Sequence, residues 1–404
     1  MILILAVSTA GASYTFPSLF YEGQSFSPTS VRSEGMGGGG LATSRGLESM
    51  YINPANLAQQ RFALSLPSIS LSAYNVKNII DEGIIQDVVD GNAGEGTALS
   101  YLDTIVAAKG ELLTTDIQLG FAGGGFGLSL DLQEKLHNID VGADTNIIAE
   151  INASAAVGIA FSLPLIDDLL SVDAGAVVRP TYTAYTQRIG AQNIINSAFS
   201  EGSDMLQQFL EDNQLAAGYA VPVDVGINVN GPLGVRLSAV ARNLNGVYTM
   251  YQYNEAGTWL NELLALVEAD PVYTGLSTGT TEMTIEVPWT LDLGLGWEIP
   301  LGGLSKLVRP AFSVDLVDVV SLQESVSENP DAVWEHLIAG AELRLLSLLD
   351  ARVGLNKGYM SVGAGFDLLL FHIDAAYYWR EFGVNIGDRP VDALTVRFNF
   401  GIDG

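Results

Sequence analysis

The most regular feature of this chain is a period of two. Between Val287 and Ile299 the odd positions Val287, Trp289, Leu291, Leu293, Leu295, Trp297 and Ile299 are large and apolar. The even positions include Thr290, Asp292, Gly294, Gly296 and Glu298. Successive side chains of a strand point to opposite faces, so this pattern predicts a strand with one apolar and one polar face. Other segments repeat it. Ile151, Ala153, Ala155, Val157, Ile159 and Phe161 oppose Glu150, Asn152, Ser154 and Gly158; Val221, Val223, Val225, Ile227 and Val229 oppose Asp224, Gly226, Asn228 and Asn230. Val235, Leu237, Ala239 and Ala241 oppose Arg236, Ser238 and Arg242, and Ile373, Ala375, Tyr377 and Trp379 oppose Asp374 and Arg380.

Candidate strands of this kind fall near 62–74, 115–122, 125–132, 147–162, 171–186, 220–230, 233–243, 246–254, 283–299, 307–318, 336–346, 350–356, 358–369, 369–380 and 391–402. Merging adjacent pieces leaves about fourteen, an even number as single-chain barrels of the bacterial outer membrane require. At ~3.4 Å per residue Trp289 and Trp297 stand ~27 Å apart on one face. After tilting, that is about the height of a barrel's lipid-facing band with an aromatic residue at each interface. The polar faces mix charge with glycine, which suits a crowded, hydrated lumen. Gly123-Gly124 and Asn230-Gly231-Pro232 suit short hairpin turns. The predicted fold class is therefore all-β: a transmembrane antiparallel β-barrel of about 14 strands.

Three stretches change period. Ile79, Ile80, Ile84, Ile85, Val88 and Val89 recur at helical spacing, as do Ile194, Ile195, Ala198, Phe199, Met205, Leu206, Phe209 and Leu210; Trp259 to Val267 is a shorter case. They predict amphipathic helices in long loops. Their apolar positions Ile84, Ile85, Val88, Phe199, Met205, Phe209 and Trp259 either cap the rim or offer a hydrophobic surface to a ligand at the outer mouth.

Composition narrows the function. Hydrophobic residues make up 48% and charged residues 16% of 404 residues, with 18 basic against 46 acidic side chains and a formal charge of −28. Such a chain is repelled by phosphate backbones, which excludes nucleic-acid binding. With no cysteine, disulfides, thiolate metal sites, cysteine nucleophiles and a lipid-modified N-terminal cysteine are excluded. Residues 1–12 read as a signal peptide: Met1 to Val7 form an apolar core and Ala10-Gly11-Ala12 fits small-x-small cleavage, although a basic start is missing. No later apolar run reaches the ~18 residues of a membrane helix.

Candidate catalytic chemistry is sparse. Gly35-Met36-Gly37-Gly38-Gly39-Gly40 matches a dinucleotide-binding pattern literally, but no strand precedes it and no βαβ unit follows. A tight backbone packed in the lumen is the better reading. His137, His336 and His372 have no neighbouring ligand at metal spacing, and Asp87/Asp90 and Asp315/Asp318 lack a calcium loop and read as solvated charge. No serine elbow, paired catalytic carboxylates or HExxH motif occurs. No enzyme, metal or cofactor is implied.

The most specific segment runs from Ser33 through Gly37, Gly38, Gly39 and Gly40 to Asn53, Pro54 and Ala55. It resembles the opening of FadL-type outer-membrane barrels, in which a Gly-Met-Gly-Gly run leads through a short helical stretch to Asn-Pro-Ala and the first strand. PorV-like, conjugal-transfer TraF-like and spirochaete barrels open similarly. The resemblance implies a hatch at 13–60 plugging a barrel at 61–404, with Gly37, Gly38, Asn53, Pro54 and Ala55 as its motif. It further implies an outer-membrane location, assembly by the barrel-assembly machinery, contact with outer-membrane lipid, and passive admission of hydrophobic molecules such as long-chain fatty acids. Gly401 to Gly404 follow Phe400, whereas many such barrels end on an aromatic residue. The rival reading is an accessory barrel that docks secreted or surface proteins; a general porin is a third, weakened by a folded hatch.

Overall fold

The computed structural model describes residues 26–90, 101, 110–138, 146–167, 169–186, 189–190, 210–211, 213–273, 275, 280–328, 330–383 and 386–402. The expected signal peptide, Phe199, Met205 and Phe209 lie outside them.

Fourteen antiparallel strands close into one barrel. They are β1 (Ala63–Tyr74), β2 (Gly110–Gly123), β3 (Phe126–Asn138), β4 (Asn146–Ile166) and β5, in pieces Leu170–Val178, Thr181–Thr186 and Ile189–Gly190. β6 (Leu215–Ala220, Val223–Asn230), β7 (Val235–Leu244, Val247–Tyr253) and β8 (Thr281–Glu286, Thr290–Glu298) are also interrupted. β9 (Val308–Leu316), β10 (Leu337–Leu345), β11 (Leu349–Asn356), β12 (Tyr359–Leu368), β13 (Phe371–Glu381) and β14 (Pro390–Ile402) complete the circuit. Closure is direct: Ile69 on β1 pairs with Phe398 on β14 and with Ile117 on β2. A closed sheet has no edge, so every strand finds ladder partners on both sides, as hydrocarbon demands.

The alternation falls as the period of two predicts. Leu293, Leu295 and Trp297 are exposed on the outer face while Asp292 is buried inside. Trp289 also faces outward, half exposed. Trp297 sits on Phe312 with ring centroids 6.2 Å apart and donates to the Leu233 carbonyl at 3.1 Å. Val287 departs from the row. It is buried in the interior with Tyr248 and Met250, because the strand breaks at Val287-Pro288-Trp289 and the inward parity changes from odd to even across it. Proline cannot donate to a ladder, so it marks such a break.

That break belongs to a seam. β5 is interrupted at Arg179-Pro180, β6 at Val221-Pro222, β7 at Asn245-Gly246 and β8 at Val287-Pro288-Trp289. The breaks remain stitched: Arg179 N–H donates to Pro222 O at 2.9 Å and Val287 N–H to Gly246 O at 2.7 Å. Arg179 and Asp224 form a buried ion pair there at 2.9 Å.

The described helices are short and lie outside the strands: α1 (Val31–Gly35), α2 (Ser49–Ile52), α3 (Val76–Asp81), α4 (Ile84–Val89), α5 (Ala256–Ala265), α6 (Val319–Glu328) and α7 (Val333–His336). The expected helix at Trp259–Val267 is α5, one turn earlier than its pattern. Helix α6, which follows β9, was not among the expected helices, although Val319, Leu322 and Val326 recur there at helical spacing. No described helix is long and apolar enough to cross a membrane.

Candidate functional site

Residues 26–60 occupy the lumen and form the hatch. Ser30 caps α1 by accepting Ser33 N–H at 3.1 Å. Asn53 and Pro54 then start a 3-10 helix, Pro54–Gln59. Asn53 Oδ1 accepts Ala55 N–H at 3.0 Å, and its Nδ2 donates to Leu41 O at 2.9 Å and to Asn228 Oδ1 on β6 at 2.8 Å. Proline at the first helical position loses no needed hydrogen bond. One asparagine thus caps its own turn, ties it to the glycine-rich loop and anchors both to the wall.

Glycines on the inner wall make the fit possible. A Cβ at Gly226 would lie 2.2 Å from Asn53 Oδ1, and one at Gly175 would lie 2.4 Å from the Pro54 carbonyl oxygen. The glycine-rich loop is packed equally closely: Gly37 has φ +77°, and a side chain there would lie 2.9 Å from the Leu355 backbone. The run Gly35–Gly40 is accordingly packed backbone, preceded by α1 and not by a strand.

Charge holds the hatch where packing does not. Glu342 on β10 accepts from Arg32 Nη2 at 2.9 Å and from Arg45 Nη1 at 2.8 Å, both on the hatch, and from Arg352 Nε of β11 at 2.9 Å. Its side chain is 1% exposed. Arg32 also meets Glu48 at 2.7 Å, and Arg352 meets Asp374 at 2.7 Å and Asp350 at 2.8 Å. Burial raises the Glu48 pKa, but Arg32 and the Ser30 hydroxyl outweigh it and hold the carboxyl below its ordinary range. On another side, Arg242 bonds the carbonyls of Tyr51 and Ile52 as well as Asp292.

Asp315 corrects an expectation. It is buried, and its Oδ2 accepts Gly40 N–H at 2.5 Å and Leu41 N–H at 3.2 Å. Its role is to hold the glycine loop, and it is not solvated. The histidines are dispersed: His137 meets Glu150 at 2.7 Å, His372 meets Asp367 at 2.8 Å, and His336 meets Val317 O at 2.8 Å.

Two environments adjoin the hatch. A cavity of about 900 Å³ with mixed polar and apolar walls is lined in part by Glu34, Glu111, Lys135, His137, Arg380 and Asn399. Beside it, where β4 to β8 rise past the seam, Ile148, Tyr185, Ala216, Tyr248, Met250 and Val287 make a buried apolar cluster. Inward parity places this cluster in the lumen: Tyr248 pairs with Ile285 and Met250 with Met283. Phe26, the first described residue of the hatch, is buried, and its carbonyl accepts from Arg179.

The loop positions separate. Ile84 is buried, and Ile85 and Val88 lie on α4. Trp259 lies on the barrel's outer side: its Nε1 donates to Tyr182 Oη at 2.8 Å, and it packs with Leu215, Ala217, Tyr253 and Tyr273. The sequence did not identify Glu342, Arg32, Arg45 and Arg352 as a set. Their one legible signal was charge on the polar side of alternating strands, since Arg32 and Glu342 are 310 positions apart.

No protein-family model and no curated protein matches the sequence. Among solved structures, the chain is similar to the CymD monoaromatic hydrocarbon channel, with a TM-score of 0.48 and 13% identity over 92% of this chain and 97% of that one. It is also similar to a Pseudomonas aeruginosa FadL homologue, with a TM-score of 0.43 and 11% identity over 93% and 98% of the two chains. For the P. putida toluene transporter TodX the values are 0.42 and 11%, over 92% and 97%. Strand closure, outward apolar faces and the bonded N-terminal segment identify the chain itself as a transmembrane β-barrel of fourteen antiparallel strands built around its own hatch.

Proposed function

We propose that the protein is an outer-membrane channel of FadL type that admits hydrophobic small molecules, long-chain fatty acids among them, by passive diffusion. The observation that carries this reading is the apolar cluster inside the lumen, Tyr185, Tyr248, Met250 and Val287, set beside a bonded hatch. A general porin for polar solutes needs an open aqueous bore, and apolar side chains with a tied plug work against one. These side chains are buried as they stand, so an apolar solute reaches them only as the contents of the lumen move, and then gains about 25 cal/mol per Å² of apolar surface taken from water. Movement of the hatch then connects that surface to the far side without ATP or metal. Trp289 and Trp297 mark the two membrane interfaces in this reading. The end carrying the tight turns, where β1 begins and β14 finishes, faces the periplasm.

The test is uptake of a labelled long-chain fatty acid into proteoliposomes. Wild-type protein accelerates uptake over protein-free vesicles, and replacing Asn53 and Pro54 by alanine alters or abolishes it while the barrel stays assembled. Wild-type protein that moves neither a fatty acid nor a monoaromatic probe, yet retains secreted proteins on its loops, transfers the assignment to the docking class.

A further inference from the structure

The outer wall carries a hollow over β4. Along β4 the outward row is Ile151, Ala153, Ala155, Val157, with Ile151 and Val157 exposed. The two alanines are a local shortfall of side-chain volume. On β3 they face Leu132 and Leu130, and on β5 Ala153 faces Tyr182. The result is a trough of about 620 Å³ on the outer face, with Pro180 and Tyr219 on its far bank. Its lining is almost entirely apolar.

The trough lies at the end of the seam, where the β4–β5 ladder is interrupted at Pro180. Bonds cross its floor nevertheless: Ala155 N–H donates to Pro180 O at 3.0 Å, and Thr181 Oγ1 to Ser154 Oγ at 3.4 Å. Above it, helix α5 folds over the outside of the barrel and is fastened to Tyr182 through Trp259. The trough is continuous with the lipid-facing surface, since Leu119, Leu130 and Leu132 are exposed on its near side and Tyr219 and Val221 on its far side.

We propose that this trough docks one acyl chain of a membrane phospholipid, seated along β4 beneath the α5 strap. Width argues for a single chain. Neighbouring strands are ~4.8 Å apart, so the β3 and β5 banks stand roughly 10 Å apart between backbones. Once their side chains are counted, a helix of about 10–12 Å diameter does not fit, whereas an extended alkyl chain does. The bonds across the floor and the continuity with the exposed apolar wall argue for lipid from the bilayer in preference to cargo arriving through the lumen. The inference needs the lipid-facing wall, not the transport reading.

The test uses the full chain in vesicles of phosphatidylethanolamine and phosphatidylglycerol containing a phosphatidylethanolamine with a diazirine in its acyl chain. After photolysis, adducts are mapped by peptide mass spectrometry. Adducts on residues 151–157, 180–182 and 219–221 should exceed those on the equally exposed face at 291–297 several-fold. Filling the trough with Ala153→Trp and Ala155→Trp should reduce them to the level of that face, with heat-modifiable gel migration unchanged. If that variant does not assemble, Ala153→Leu with Ala155→Leu serves the same purpose. Equal labelling of the two faces, or labelling unaffected by filling, overturns the proposal. Labelling by free diazirine-palmitic acid but not by the phospholipid overturns it too, and assigns the trough to cargo.

Discussion

Replacing Glu342 by glutamine should release the hatch without dissolving the barrel. The carboxylate is almost wholly buried and accepts from three guanidiniums, two of which, Arg32 and Arg45, belong to the hatch. Removing one partner of a buried ion pair costs about 3–5 kcal/mol, because the remaining charge is stranded away from water. Here part of that is recovered. Arg32 keeps Glu48 and Arg352 keeps Asp374 and Asp350. Arg45, with its side chain 24% exposed, keeps Asp350 at 3.4 Å and gains water. The expected loss is therefore near the lower end, about 3 kcal/mol, or roughly a hundredfold rise in the open population at about 1.4 kcal/mol per decade. Hydrogen exchange of amides at 31–52 reads that population directly, and heat-modifiable migration reports the barrel separately. The β10 ladder bonds to β9 and β11 are untouched, so only the first readout should move. Hatch exchange unchanged by the substitution would refute the reasoning, and so would barrel and hatch losing structure together. In a double-mutant cycle, Arg32→Gln should be less than additive with Glu342→Gln, since both remove the same contact.

Leu293→Arg on the outer face should destabilise the barrel by about 2–4 kcal/mol in bilayers, the penalty for a midplane charge, measured by denaturant unfolding in vesicles; Leu293→Ala should cost far less, and parity between the two would mean the face is not lipid-exposed. Gly226→Ala places a methyl against Asn53 Oδ1, and overpacking of this kind costs about 1–3 kcal/mol, seen as faster hatch exchange; unchanged exchange would deny the close approach. Glu48, whose carboxyl is held below its ordinary range beside Arg32, contributes stability present above the unfolded carboxylate pKa and lost as pH falls through the lower folded value. Hatch exchange should therefore rise on acidification through that window, and Glu48→Gln should remove this component; an identical acid response in the variant would place its source elsewhere.

The chain's own pattern determined the wall. A period of two with polar inner and apolar outer faces reports which side of a strand meets lipid, so Leu293, Leu295 and Trp297 were assignable before any coordinates. The strand number came from counting such segments and merging adjacent pieces, with an even total expected of a single-chain barrel. The Asn53-Pro54-Ala55 turn was legible for a local reason: asparagine capping and a proline-fixed φ act within three residues. Tertiary structure alone decided three things. It placed Val287 inside, because a face change at Pro288 is invisible to a pattern that remains apolar on both sides of the break. It brought Arg32 and Arg45 onto Glu342, some 300 positions away, where Arg352 of the next strand already meets it. It also turned two unremarked alanines on β4 into a trough, since an empty space is a property of the neighbours that surround it and has no residue of its own to announce it.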